Sequence, residues 1–157
     1  MTYNPRFTNI VSLLSKSIEH FPSRPVFGTR KNHGWHFITY TEFGALVSAM
    51  RGGLAKLGIG RGERVAVISD NRVEWAVGSF GTLSSGAVYV PMYQAQKDSD
   101  FRYILRDSGA TLVLCANREI AARIEKLRPE LPELKHIIAF DTPEWEALLE
   151  QGRAQPV

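Results

Sequence analysis

Two short segments carry the side chains best suited to hold a ligand. They are Ser69-Asp70-Asn71, and Met92-Tyr93-Gln94 with the polar residues running on to Lys97. Tyr93 offers an aromatic face with a polar tip, and Gln94 an amide that both donates and accepts. Each segment follows a run that reads as a buried strand, and open parallel sheets bind ligands beyond the carboxyl ends of their strands. Nothing among these residues activates a reactant. A ligand-binding role and a structural one therefore both stand for Tyr93 and Gln94.

The other candidates read as structure. Gly58-Ile59-Gly60-Arg61-Gly62 follows a helix and precedes a strand. A dinucleotide fingerprint needs the reverse order, so this run is expected to be a turn. Gly81-Thr82-Leu83-Ser84-Ser85-Gly86 has the glycine spacing of a phosphate loop, but Ala87-Val88 follows where Lys and then Ser or Thr are required. Its small residues suit close packing of a helix against a strand. His20, His33, His36 and His136 show no metal-ligand spacing, and no metal or catalytic residue is assigned in this chain. Cys115 lies among Leu, Val and Ala, as expected of a buried inert thiol. Asp70, Asn71 and Asp107 read as helix-end residues.

The elements that position the two segments follow from periodicity. Residues 64–69 (RVAVIS) form a short apolar run, as in a strand buried on both faces. Asn71 with Glu74 resembles a capping box for a helix carrying Val73, Trp75, Ala76, Val77, Phe80 and Leu83 around most of its circumference. Gly86 supplies a left-handed helix stop, residues 87–90 a second strand, and Pro91 its end. Two such strands joined by a helix predict a right-handed βαβ crossover.

Upstream, Thr8 is expected to cap a helix through Ile10, Val11, Leu14, Ile18 and Phe21, which Pro22 ends. Residues 24–29 and 35–39 read as a hairpin around Lys31-Asn32-His33-Gly34. Thr39 with Glu42 caps a helix carrying Phe43, Leu46, Val47, Met50, Leu54 and Leu57. Downstream, Asp98 or Ser99 opens a helix that stops at Gly109, and residues 111–116 are a third strand. Asn117 caps the next helix, residues 136–140 are a fourth strand, and Thr142-Pro143 opens a last helix. The fold class is α/β: a largely parallel sheet of βαβ units flanked by helices, with an N-terminal helix and β-hairpin. Residues 1–151 form the domain and residues 152–157 a tail.

Composition bounds the rest. Of 157 residues, 44% are apolar and 22% charged, as in an ordinary globular protein, and there is no repeat. A net charge of +3, spread in ones and twos, forms no nucleic-acid stripe. No apolar run reaches the roughly 20 residues of a membrane span. The opening MTYNPRFTN lacks a signal-peptide core, and a single cysteine suits a reducing compartment, so a cytoplasmic location is expected.

Three motifs in order then resemble the adenylate-forming, or AMP-binding, superfamily. They are Thr39-Tyr40-Thr41-Glu42-Phe43, residues 58–69, and Gly86-Ala87-Val88-Tyr89-Val90-Pro91-Met92. Residues 89–93 together with Tyr103-Ile104-Leu105-Arg106-Asp107-Ser108-Gly109-Ala110 look most like long-chain acyl-CoA synthetases. The resemblance runs over about residues 7 to 140, with Glu63 where Asp is commoner. It implies the first part of a large N-terminal domain whose whole enzyme uses ATP and Mg²⁺ to make an acyl-adenylate and passes the acyl group to coenzyme A. The family's phosphate loop with its lysine, Tyr-Gly-x-Thr-Glu segment, ribose-binding aspartate and catalytic lysine lie beyond the matched region. The chain is therefore expected to carry no ATP or Mg²⁺ site of its own and to be inactive alone. By the resemblance, Tyr93 and Gln94 lie near the thiol and acyl channel and are the expected substrate-side contacts.

The expected partners are the remainder of the ligase or a second copy. The nearly all-round apolar helix after Asn71 predicts an exposed apolar surface for either. The rival reading is a non-catalytic α/β ligand-binding or protein-interaction module on the same scaffold. A flavodoxin-like nucleotide binder would need a Ser-, Thr- or Gly-rich loop at a strand end, and Ser69-Asp70-Asn71-Arg72 is too acidic and too short for one.

Overall fold

The computed structural model describes residues 7–32 and 34–155. His33, the first six residues of the N-terminal reading and the last two of the expected tail lie outside the described residues. The chain runs α1 (Ile10–His20), β1 (Pro25–Lys31), β2 (Gly34–Thr39), α2 (Tyr40–Lys56), β3 (Arg64–Ile68), α3 (Val73–Ser84) and β4 (Val88–Met92). It continues through α4 (Asp98–Ser108), β5 (Leu112–Cys115), α5 (Arg118–Leu127), a 3-10 turn at Arg128–Glu130, β6 (His136–Ala139) and α6 (Pro143–Ala154). β1 and β2 form an antiparallel hairpin, with Asn32 in the left-handed region at its turn. The other four strands make a parallel sheet in the order β4-β3-β5-β6.

Because strand side chains alternate, β3 and β5 feed two cores. Val65, Val67, Leu112 and Leu114 face α2, α3 and α6 through Met50, Leu54, Val77, Trp145 and Leu149. Ala66, Ile68, Val113 and Cys115 face α4 and α5 through Phe101, Leu105, Ile120 and Ile124. Two-sided burial is why these strands read as continuous apolar runs rather than alternating ones. Cys115 is fully buried in the second core, and burial pushes its thiol up to about 12. Iodoacetamide is expected to leave it unmodified at pH 8 and to label it fully in denaturant. Stoichiometric labelling of the native chain, read by mass spectrometry, would contradict this packing.

Several termini differ from the sequence reading. Asn9, not Thr8, caps α1: its side chain accepts from the Ser12 amide at 2.8 Å, while Thr8 donates its own amide to the Ser12 hydroxyl at 3.0 Å. Lys97 takes the N-cap position of α4, and its amide donates to the Asp100 carboxylate at 3.2 Å, so Asp98 and Ser99 already lie inside the helix. The Thr39–Glu42 capping box of α2 forms as expected.

Pro91 does not end β4 but lies within it, in register with Val67. β4 is an edge strand, and the Val88 amide donates inward to Glu63 O at 2.8 Å. Alternation then turns residue 91 outward, where the missing N–H of proline breaks no ladder bond.

The last helix runs to Ala154, so residues 152–154 are not tail. Gly152 is buried where α6 crosses Gly52 and Gly53 of α2. Glycine at these positions brings the two helix backbones into contact, a pairing that neither segment shows on its own. Likewise α3 is not left open. It is sandwiched, with Gly81 against Met50 of α2 and Gly78 against Leu114 of β5, so its small residues serve helix and strand packing together. Exposed large apolar side chains lie elsewhere, at Ile10, Leu13 and Phe21 in and just after α1, at Trp35 and Phe37 on the hairpin, and at Val88, Tyr93 and Tyr103.

Candidate functional site

β3 stands at the centre of the connectivity. The chain leaves it for β4 on one side and later returns to β5 on the other. The carboxyl end of such a sheet, at the reversal, is where α/β folds place ligands. Here that end is formed by Ser69 and Asp70 after β3, Tyr93 and Gln94 after β4, and Ala116 and Asn117 after β5.

The two segments singled out by composition do meet. Gln94 Nε2 donates to Asp70 Oδ1 at 2.7 Å, across 24 residues of sequence. The buried Ser69 hydroxyl donates to Asp70 O at 2.8 Å and fixes the turn beneath. Asp70 is thus a strut for Gln94 rather than a helix-end residue. Tyr93 is not drawn in: it is 81% exposed, with its amide donating to Gln96 Oε1 at 3.1 Å. The structure therefore gives Gln94 a fixed position and leaves the Tyr93 ring standing in solvent beside it.

Arg72 is the residue that sequence reasoning missed. The expected Asn71–Glu74 capping box is absent, and α3 begins after Arg72 with no side-chain cap. Glu74 is instead gripped by Arg72, Nε to Oε2 at 2.8 Å and Nη2 to Oε1 at 3.0 Å. A charge-assisted bidentate pair of this kind outweighs a single carboxylate–amide cap. Arg72 Nη1 also donates to Ala116 O at 3.1 Å, and its charge centre lies 5.4 Å from the Phe140 ring centroid. The hydrogen bond to Glu74 holds the guanidinium charged despite partial burial. Arg72 thereby spans the β3–β5 crevice where a nucleotide would sit in a fold of this order. The signal in sequence is faint, because its carbonyl partner lies 44 residues away.

The remaining candidates take up structural positions. Gly58 and Gly62 take φ of 72° and 84° and form the helix-to-strand turn expected of them. Residues 81–84 are helical and packed, so they present no loop of free amides to a phosphate. His20 Nδ1 lies 2.8 Å from Lys16 O, and His36 is exposed near Glu42. His136 is half-buried, and desolvation with the nearby Lys135 and Arg128 lowers its pKa. Among the described residues, no group of three or more His, Cys, Asp or Glu side chains could hold a metal ion, and no helix is long and apolar enough to cross a membrane. The strand-end arrangement can orient a neutral or aromatic-stacking group through Tyr93 and Gln94, with the adjacent Asp70 carboxylate taken up by the Gln94 amide.

Comparison with known proteins agrees with this fold. A long-chain-fatty-acid–CoA ligase, FadD15 of Mycobacterium tuberculosis, is 27% identical over 130 residues, covering 83% of this chain and 22% of its own length. ACSBG2 of Rattus norvegicus, also a long-chain-fatty-acid–CoA ligase, is 23% identical over 94% of this chain and 24% of its own. The chain thus spans less than a quarter of the length of these curated relatives. Among solved structures, the anthranilate CoA ligase AuaEII in complex with anthranoyl-AMP superposes with a TM-score of 0.82 at 25% identity, over 98% of this chain and 28% of that one. The N-terminal domain of FACL13 from Mycobacterium tuberculosis superposes with a TM-score of 0.79 at 24% identity, over 96% and 37%. This α/β chain corresponds to part of the N-terminal domain of such enzymes. The AMP-binding enzyme family model matches residues 14–156, and the chain belongs to that family.

Proposed function

We propose that the chain is the opening portion of an ATP-dependent acyl-CoA ligase acting in the cytoplasm. In that enzyme a fatty acid is joined to coenzyme A by way of an acyl-adenylate. ATP, Mg²⁺ and most of the chemistry belong to the remainder of the ligase, which is this chain's principal partner. The portion described here supplies a rigid α/β platform and one substrate-side loop. The observation that carries the reading is the strand-end junction: Gln94 is held by Asp70 at 2.7 Å while the adjacent Tyr93 ring remains 81% exposed. A fixed polar group beside an uncovered aromatic ring is what a pantetheine or acyl chain needs for orientation.

The test is made in the intact ligase. Tyr93→Ala is expected to raise KM for coenzyme A or for the fatty acid by about tenfold, the equivalent of one lost contact of about 1.4 kcal/mol. The melting temperature should not change, because the ring packs on little. Gln94→Ala should act in the same direction. KM values equal to those of the wild type for both substrates would remove the two residues from the site. Steady-state binding of acyl chains by a ligase with no adenylating activity would favour the non-catalytic module instead.

A further inference from the structure

The outer face of the β1–β2 hairpin is a feature that neither the sheet end nor the family reading uses. Trp35 and Phe37 alternate onto this face and are 64% and 55% exposed. Their rings are stacked, with centroids 6.2 Å apart and planes 21° apart. Gly28 is paired in register with Phe37, and a Cβ there would lie 2.7 Å from Phe37 Cε1. The glycine lets the ring lie flat across the β1 backbone, so the aromatic ledge is a fitted feature rather than two loose side chains. Arg30, exposed, stands opposite Trp35 on the same face. The other face of the hairpin is already used: Phe27 packs edge-on against Phe43, with centroids 5.0 Å apart, and Ile38 packs on the same core. No Asp or Glu occurs from His20 through Thr41, a stretch that holds Arg24, Arg30 and Lys31.

We propose that this face docks on an anionic lipid bilayer. Trp35 and Phe37 enter the boundary between headgroups and acyl chains, and Arg30 meets a lipid phosphate. Tryptophan concentrates at that boundary, where an apolar ring can keep its N–H wet. Peripheral attachment grows with buried apolar area and with attraction to anionic headgroups, and this face offers both without a carboxylate to oppose them. A nucleic acid fits less well. The face carries few cations, and its two rings stack on each other, leaving no slot for a base. A second copy would bring Arg30 of each chain onto one interface with no carboxylate of the hairpin to pair it. The inference is independent of the acyl-transfer reading, because it concerns where the chain sits and not what it converts.

Co-sedimentation with vesicles tests it, using phosphatidylcholine alone and an equimolar mixture with phosphatidylglycerol. The chain is expected to bind the mixed vesicles and not the neutral ones. The double variant Trp35→Ala/Phe37→Ala should lose about tenfold in binding, and Arg30→Glu about fivefold or more. Circular dichroism should show both variants folded, since the side chains lie outside the core. The native chain gives a reading that needs no variant. Of the three tryptophans Trp35 is exposed, Trp75 half-buried against Tyr89 and Trp145 buried, so emission should shift to the blue with mixed vesicles and its exposed component be quenched by brominated lipid. Equal binding by the double variant, or none by the native chain, would overturn the proposal. So would vesicle binding by the chain that vanishes in the intact ligase, which would mean that the remaining polypeptide covers the face. Self-association or oligonucleotide binding that depends on Trp35 and Phe37, without vesicle binding, would likewise assign the face to another partner.

Discussion

Incubated with ATP, Mg²⁺, labelled pyrophosphate and fatty acids of several lengths, the isolated chain is expected to give no exchange above background. Calorimetric titration with ATP·Mg²⁺ should show no binding in the micromolar range. Adenylation sets a carboxylate against an anionic phosphorus centre, and electrostatic stabilisation by cations and aimed amides is the largest share of such catalysis. The arginines nearest the sheet end are engaged within the fold. Arg72 is tied to Glu74 and to Ala116 O, and Arg118, at the start of α5, to Asp141. The glycines of residues 58–62 make a connecting turn, and those of residues 78–81 are packed against Leu114 and Met50. Asp70 and Asp141 place carboxylates at the same end of the sheet, where an unaccompanied phosphate would be repelled. Exchange above background, or micromolar ATP affinity, would make this chain a minimal adenylating enzyme and would sink the proposal that the rest of the ligase supplies the phosphate site.

The second large effect is structural. Gly152→Ala is expected to lower stability by about 2 kcal/mol. Overpacking at a tight contact costs roughly 3 kcal/mol, and the better helix propensity of alanine returns about 1 kcal/mol. The added Cβ would overlap Ala49 O and lie 2.5 Å from Gly53 N and 2.8 Å from Ala49 C, all of them backbone atoms of α2. Backbone cannot rotate aside as a side chain can, so α2 and α6 must part. For a domain of this size that loss corresponds to a fall in melting temperature of about 6 °C. Gly60→Ala is the control, because nothing lies within 4 Å of its Cβ direction and its φ is not positive. It should change stability by less than about 0.5 kcal/mol. A Gly152→Ala chain that melts with the wild type would show that the helix crossing is loose and that residues 152–154 behave as tail after all.

Elements were legible where one local rule sufficed. Continuous apolar runs marked β3 and β5, since two-sided burial leaves no polar alternation. Thr39 with Glu42 marked the start of α2, Asn117 that of α5, and Gly109 the end of α4 at φ 61°. In each of these the bond that decides the structure closes within a few residues, so sequence spacing contains it. The strand-end segments were legible by the same logic. A polar stretch after a buried strand has to emerge at the sheet end, and both segments are found there.

What spacing could not contain were contacts between distant segments. Arg72 grips Glu74 locally, but its other partners, Ala116 and Phe140, reach it only once β3, β5 and β6 are side by side. Pro91 continues β4 because that strand occupies an edge, a property of strand order. Gly152 belongs to a helix because glycines in the middle of α2, some hundred residues earlier, leave room for it. Sequence by itself determined the α/β class, the family motifs and the two polar segments that emerge at the sheet end, since each rests on local periodicity or on residue type. Tertiary structure alone decided that Asp70 holds Gln94, that Tyr93 stands clear, and that the hairpin rather than α3 leaves its aromatics in solvent. Each of those outcomes depends on which surfaces the folded layers cover, and that is settled only when segments remote in sequence compete for the same space.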